Sequence, residues 1–115
     1  MKLTIQAIPP SLNRFAGRKN DWEYRKQKAE WKQLVCVMAK AIKYTMFEKA
    51  IVTITYYFPT KCRHDPDNYA GKMILDGLTE AGVIADDSFS VIELRLRGEY
   101  DKDNPRTEIT VCDQC

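Results

Sequence analysis

The sequence predicts an α+β domain: a mixed sheet packed with two helices, in the order β-α-β-α-β-β. Three observations predict it. "AIVTITYYF" (50–58) is dense in β-branched and aromatic residues, which suits a central strand. "SVIELRLRG" (90–98) alternates strictly, so Ile92, Leu94 and Leu96 face inward while Glu93, Arg95 and Arg97 face out. Between and before these strands, apolar residues recur at steps of three and four in only two stretches, too few helices for a doubly wound sheet.

The elements follow in order. "KLTIQAI" alternates well enough for a first strand, and "PPSLN" ends it because prolines withdraw ladder donors. "RFAGRKN" reads as a basic loop. Asp21 offers an N-cap for a helix from Trp22 to about Met46, with Trp31, Leu34, Val35, Met38, Ala41, Ile42 and Thr45 on its apolar face. After the second strand, "PTKCRHDPD" is a loop, and Asn68 or Asp67 caps a second helix to about Ala81, with Ile74, Leu78 and Ala81 inward. Gly82 fits the left-handed position beyond that helix, and Val83 the apolar residue after it. "DKDNP" is a turn, and "RTEITVC" is the last strand.

At 115 residues the chain is expected to form a single domain, 1–115. No apolar run reaches the roughly 20 residues that span a bilayer, and "MKLTIQAIPP" lacks a signal-peptide h-region, so a cytoplasmic protein without membrane contact is expected. The net charge of +2 conceals an asymmetry. Residues 1–64 carry 13 Lys and Arg against 4 Asp and Glu, whereas residues 65–115 carry 5 against 12. A basic half beside an acidic half points to nucleic-acid contact plus a separate acidic site, although a charge-decorated helix gives the same pattern. Disulfides are not expected among Cys36, Cys62, Cys112 and Cys115 in such a chain. Cys62, His64, Cys112 and Cys115 are the one conceivable zinc set, but their spacing fits no known pattern and free thiols are expected, with Cys36 packed on an apolar helix face.

The chemistry concentrates in "CRHDPDNYAGK" (62–72). Asp65 and Asp67 flank Pro66, which fixes its own φ and pushes the preceding residue into extended conformation. In an extended segment residues i and i+2 point the same way, so two carboxylates are expected side by side, repelling unless a cation lies between them. Asp86 and Asp87 add acids after the second helix. Mg²⁺ takes a few carboxylates and keeps positions open for phosphate oxygens. Lys61, Arg63 and Lys72 surround the pair with positive charge that a phosphate needs. An EF-hand is excluded, because its fifth and sixth positions fall on Tyr69 and Ala70. Without the later acids and the lysine, "DPDN" reads as a turn with a helix cap. No Gly-rich nucleotide loop, Gly-x-Ser-x-Gly elbow or Cys/His catalytic pair competes, so no nucleotide cofactor is expected. His64, the one histidine, is expected as a solvated loop residue or a phosphate contact.

"RHDPDNYAGKMILDGLTEAGVIADDS" resembles the core motif of the RusA-type Holliday junction resolvases: an Asp-x-Asp-Asn element, a helical lysine, a following Asp-(Ala/Gly)-Leu and a closing Asp-Asp. "IPPSLNRF" resembles that family's Pro-Pro-Ser-x-Asn-Arg-aromatic segment. The resemblance spans residues 8–88. It implies a RusA-like fold and a homodimeric, Mg²⁺-dependent (or Mn²⁺-dependent) crossover junction endodeoxyribonuclease that cuts four-way DNA junctions by paired nicks in recombination and repair. Carried over by position, Asp65, Asp67 and Asp87 are the catalytic, metal-binding aspartates and Lys72 the catalytic lysine. Asp86 matches an acidic neighbour, either beside the ligands or reaching a partner subunit's site. One departure is present: four residues separate Asp67 from Lys72, one more than the family pattern. An added residue rotates a regular helix by about 100°, so Lys72 reaches the site if Gly71 or the first turn absorbs the change.

A helix from Asn68 to Ala81 would run about 21 Å away from Asp67, and residues 82–87 span at most about 20 Å on the return. Asp87 is therefore expected to reach its own Asp65–Asp67 pair only by a nearly straight path, and a dimer with acids of both chains near each site is the expectation. Asn13, Arg14, Arg18, Lys19, Arg25, Lys28, Lys32, Lys61 and Arg63 are the expected DNA contacts, largely to backbone phosphates, with Phe15 as a conceivable wedge. Two other readings stay open: a metal nuclease for other branched or single-stranded DNA, and a non-catalytic junction binder. An interaction protein whose basic helix meets an acidic partner is the weakest.

Overall fold

A computed structural model of the protein describes residues 1–11, 21–42 and 46–114, apart from the side chains of Asp21 and Asp67. The elements are β1 (Lys2–Ile5), α1 (Asp21–Lys40), β2 (Ala50–Phe58), a 3-10 turn (Pro66–Tyr69), α2 (Lys72–Glu80), β3 (Ile92–Tyr100) and β4 (Arg106–Asp113). Among the described residues, four strands form one mixed sheet in the order β1-β4-β2-β3. β2 runs parallel to β3, from Ala50 opposite Ile92 to Phe58 opposite Tyr100. Its other neighbour, β4, is antiparallel, and β1 pairs antiparallel with β4. The α+β class, the mixed sheet and the element order are those the sequence predicts.

Alternation explains the layers. Ala50, Val52, Ile54, Tyr56 and Phe58 of β2 are buried, and between them Ile51, Thr53, Thr55 and Tyr57 are only partly covered. The buried face joins Ile109 and Val111 of β4, Trp31, Val35 and Ala39 of α1, and Ile74 and Leu78 of α2 in one core. Each of the fully enclosed Ile74 and Leu78 side chains contributes about 1.5–3 kcal/mol. The helices approach closely where Gly77 faces Val35: a Cβ on Gly77 would lie 2.7 Å from Val35 Cβ. On the opposite face, Arg106 stacks 3.7 Å above the Tyr57 ring and bonds both Asp101 and Glu108 at 2.7 Å. The 101–105 turn is closed by the Asn104 N–H donating to Asp101 Oδ1.

Two helix expectations change. α1 ends at Lys40 rather than near Met46. Its buried stripe runs Trp31, Val35, Cys36 and Ala39, while Leu34 is 40% exposed and Ala41 faces solvent. The rotation follows from α2, which covers the Lys32–Val35 side of α1 at Gly77. α2 is shorter than expected, nine residues from Lys72. Its C-terminus meets expectation: Gly82 has φ 78°, its N–H donates to Thr79 O, the Val83 N–H donates to Leu78 O, and Val83 is buried.

Candidate active site

The site is carried by the loop between β2 and α2 and by the loop after α2. Asp65 has φ −97° and ψ 135°, the extended conformation that Pro66 imposes on it. Pro66, however, opens a 3-10 turn, so strand alternation does not set Asp65 and Asp67 on one side. The reason is local: the Asn68 N–H donates to Asp65 O at 3.0 Å, closing a turn that Pro66 suits at its first position. An aromatic cluster fixes this loop. His64 stacks on Phe58 with ring centres 3.8 Å apart, and Tyr69 stands edge-on to both. His64 is thus a packed anchor rather than a solvated loop residue.

Gly71 is the joint between this loop and α2. At φ +81° it adopts the left-handed conformation that L side chains rarely take, and a Cβ there would fall 2.6 Å from Ile54 Cδ1. The 3-10 turn ends at Tyr69 and α2 starts afresh at Lys72, so the two helical segments do not share one continuous helix.

Lys72 then occupies an acidic setting. Its Nζ is 2.9 Å from Asp76 Oδ1 and donates to Asp87 Oδ2 at 3.2 Å, across fifteen residues of sequence. Asp76, then Asp87, raise the Lys72 pKa above its ordinary value of 10.5, so the ammonium stays charged. Asp76 also lies 3.7 Å from Lys28 of α1. The same-chain contact to Lys72 brings Asp87 back to the head of α2. Nine helical residues rise about 14 Å rather than 21 Å, which shortens the way back. Asp86 is exposed beside it.

The structure distributes the remaining expected residues as follows. Asp65 is bonded by Arg63 Nε at 2.9 Å, and both border an open hollow with Ser11, His64, Asn68 and Tyr69. Lys61 sits 5.0 Å above the Tyr100 ring. Arg25 is exposed on α1. Lys32 pairs with Glu80 at 3.0 Å, which raises its pKa, so Lys28 and Lys32 both turn toward acids of α2. Asn13, Arg14, Phe15, Arg18 and Lys19 lie outside the described residues, as does Cys115 of the conceivable zinc set. Cys36, Cys62 and Cys112 are free thiols, with Cys36 buried as expected. The sequence reading placed Asp76 in the Asp-(Ala/Gly)-Leu element but gave it no role; its four-residue step from Lys72 puts the two side chains on one helix face.

Among the described side chains no three of His, Cys, Asp or Glu form a metal-holding group. Asp76 and Asp87 converge on one cationic nitrogen, and the Asp65 and Asp87 carboxylates are oxygen donors of the kind that Mg²⁺ takes.

These elements make a small α+β domain with a charged site at the head of α2. A model of the family described as endodeoxyribonuclease RusA matches residues 6–112, and the chain belongs to that family. No curated protein matched the sequence. Among the described residues no helix is long and apolar enough to cross a membrane.

Proposed function

We propose that the protein is a divalent-metal-dependent endodeoxyribonuclease that resolves four-way DNA junctions by paired nicks in recombination and repair, acting as a homodimer. Membership in the RusA family supports nuclease activity. The observation that carries the site assignment is the meeting of Lys72 and Asp87 at the head of the helix that follows Asp65 and Asp67. Asp65, Asp67 and Asp87 are the proposed ligands of Mg²⁺ or Mn²⁺, with Asp86 beside them or turned to a partner's site. A bound ion supplies positive charge that polarises the scissile phosphodiester and steadies its transition state.

The chain's own residues supply the remainder. Arg63 restrains Asp65 through the Nε bond and presents further guanidinium N–H donors to a phosphate. Lys72, whose pKa is raised by Asp76 and Asp87, is the proposed cationic contact to the non-bridging oxygens. Gly71 and the His64–Phe58–Tyr69 cluster hold the loop so that these groups need little rearrangement on binding. Arg25, Lys28, Lys32 and Lys61, together with Asn13, Arg14, Arg18 and Lys19, are the proposed contacts to backbone phosphates, which favour affinity over base selectivity. A two-fold protein suits a junction with two equivalent strands to cut.

Cleavage of a four-way junction, a replication fork and a plain duplex, each with and without Mg²⁺, tests the proposal. Paired symmetric nicks in the junction, dependent on Mg²⁺, are expected. Equal cutting of all three DNAs identifies a nuclease of another specificity, and tight binding without cuts identifies a non-catalytic junction binder.

A further inference from the structure

The two carboxylate partners of Lys72 differ in kind. Asp76 is four residues along the same helix, so its 2.9 Å pair with Lys72 travels with α2. Asp87 reaches Lys72 from a separate loop. The Asp76 side chain is only 18% exposed and is held from a second direction by Lys28. Asp87, by contrast, has Lys72 as its ion-pair partner among the described residues.

The inference rests on the reading that Asp87 is a metal ligand. A divalent ion and the Lys72 ammonium then compete for one carboxylate. We propose that Asp76 is a positioning residue, which keeps Lys72 at the head of α2 when Asp87 turns to the metal, so that the released ammonium faces the substrate phosphate. The (i, i+4) geometry permits this without moving the helix, because the Lys72–Asp76 contact needs nothing outside α2. Without the Asp76 carboxylate, Lys72 leans on Asp87 alone and resists the incoming ion more strongly. The influence of Asp76 on metal binding therefore passes through Lys72. A carboxylate acting on the ion directly would exert its effect whether or not the lysine is present.

Calorimetric titration of the whole protein with Mn²⁺, in the absence of DNA, separates these cases. Asp76→Asn should weaken Mn²⁺ binding about threefold, and Lys72→Met should tighten it by about as much, the size of a partly exposed ion pair. Adding Asp76→Asn to Lys72→Met should then change nothing. In junction cleavage, Asp76→Asn should lower kcat with KM held, and Asp76→Glu, which keeps the charge, should recover part of the loss. Thermal melting of each variant reports folding, and the Glu variant carries the test if the Asn variant melts early. An equal loss of affinity from Asp76→Asn with and without Lys72 would overturn the proposal and assign Asp76 a direct effect on the ion. If Asp87→Asn leaves Mn²⁺ affinity unchanged, the ligand reading fails and takes the proposal with it. Weakening by Asp87→Asn beside that equal loss would sink the positioning role alone.

Discussion

Gly71 lies directly against Ile54: a Cβ at position 71 would come within 2.6 Å of the Ile54 Cδ1 atom, at a backbone φ of +81°. This contact sets the direction in which α2 leaves the acidic loop, and with it the direction of Lys72. Gly71→Ala combines a left-handed alanine, costing about 1–2 kcal/mol, with an overpacked core contact costing about 1–3 kcal/mol. We expect a loss of roughly 2–5 kcal/mol in urea unfolding. Junction cleavage should fall further than the folded fraction does, because Lys72 and Asp87 no longer meet. Unchanged stability would show that the Gly71 backbone relaxes freely.

The far face of the sheet governs acid stability. Arg106 bonds Glu108 and, with Lys2, holds its carboxyl below the ordinary value of 4.5; Arg106 likewise lowers Asp101 below 3.8. Depressed carboxylate pKa values mean that the stabilisation is complete above those ordinary values and is lost as pH falls through the lower folded ones. Urea midpoints should therefore hold from neutral pH to near 5 and then decline. Glu108→Gln should start lower at neutral pH and decline less steeply. A parallel pair of curves would contradict the role of this ion pair.

The basic residues of α1 should differ in their effect on DNA binding. Arg25 is exposed, whereas Lys32 is bonded by Glu80. If Arg25 meets one phosphate, Arg25→Ala should lower the slope of log affinity against log salt by about 0.9. Lys32→Ala should change it less, since its charge is already compensated within the protein. Anisotropy measurements with a labelled junction between about 50 and 200 mM salt would show the two slopes. Equal changes would mean that the Lys32–Glu80 pair opens on binding.

β2 and β4 were legible almost to the residue, because β-branched density and alternation leave one way to bury "AIVTITYYF" and "RTEITVC", whereas β1 ends at Ile5 rather than Ile8 and β3 lies two residues later than "SVIELRLRG". The turn after α2 was equally plain, since glycine followed by valine marks the end of a helix. Other features depend on contacts between distant segments. The α1 core face is rotated toward Gly77, so Leu34 is exposed where its period placed it inside. Pro66 correctly signals an extended Asp65, yet the turn that follows it is fixed by Asn68 bonding back to Asp65. His64 is held by Phe58 at the end of β2, a stacking that local sequence does not encode. Asp76 stood in the sequence only as part of the Asp-Gly-Leu element, and its pairing emerges when Asp87 meets the same lysine.

The central claim is that the acids flanking Pro66 serve cleavage rather than DNA binding. Its most direct measurement compares junction affinity and junction cleavage for Asp67→Asn under the same Mg²⁺ concentration. The account predicts wild-type affinity within about threefold and cleavage reduced about a thousandfold. Cleavage at the wild-type rate would contradict it.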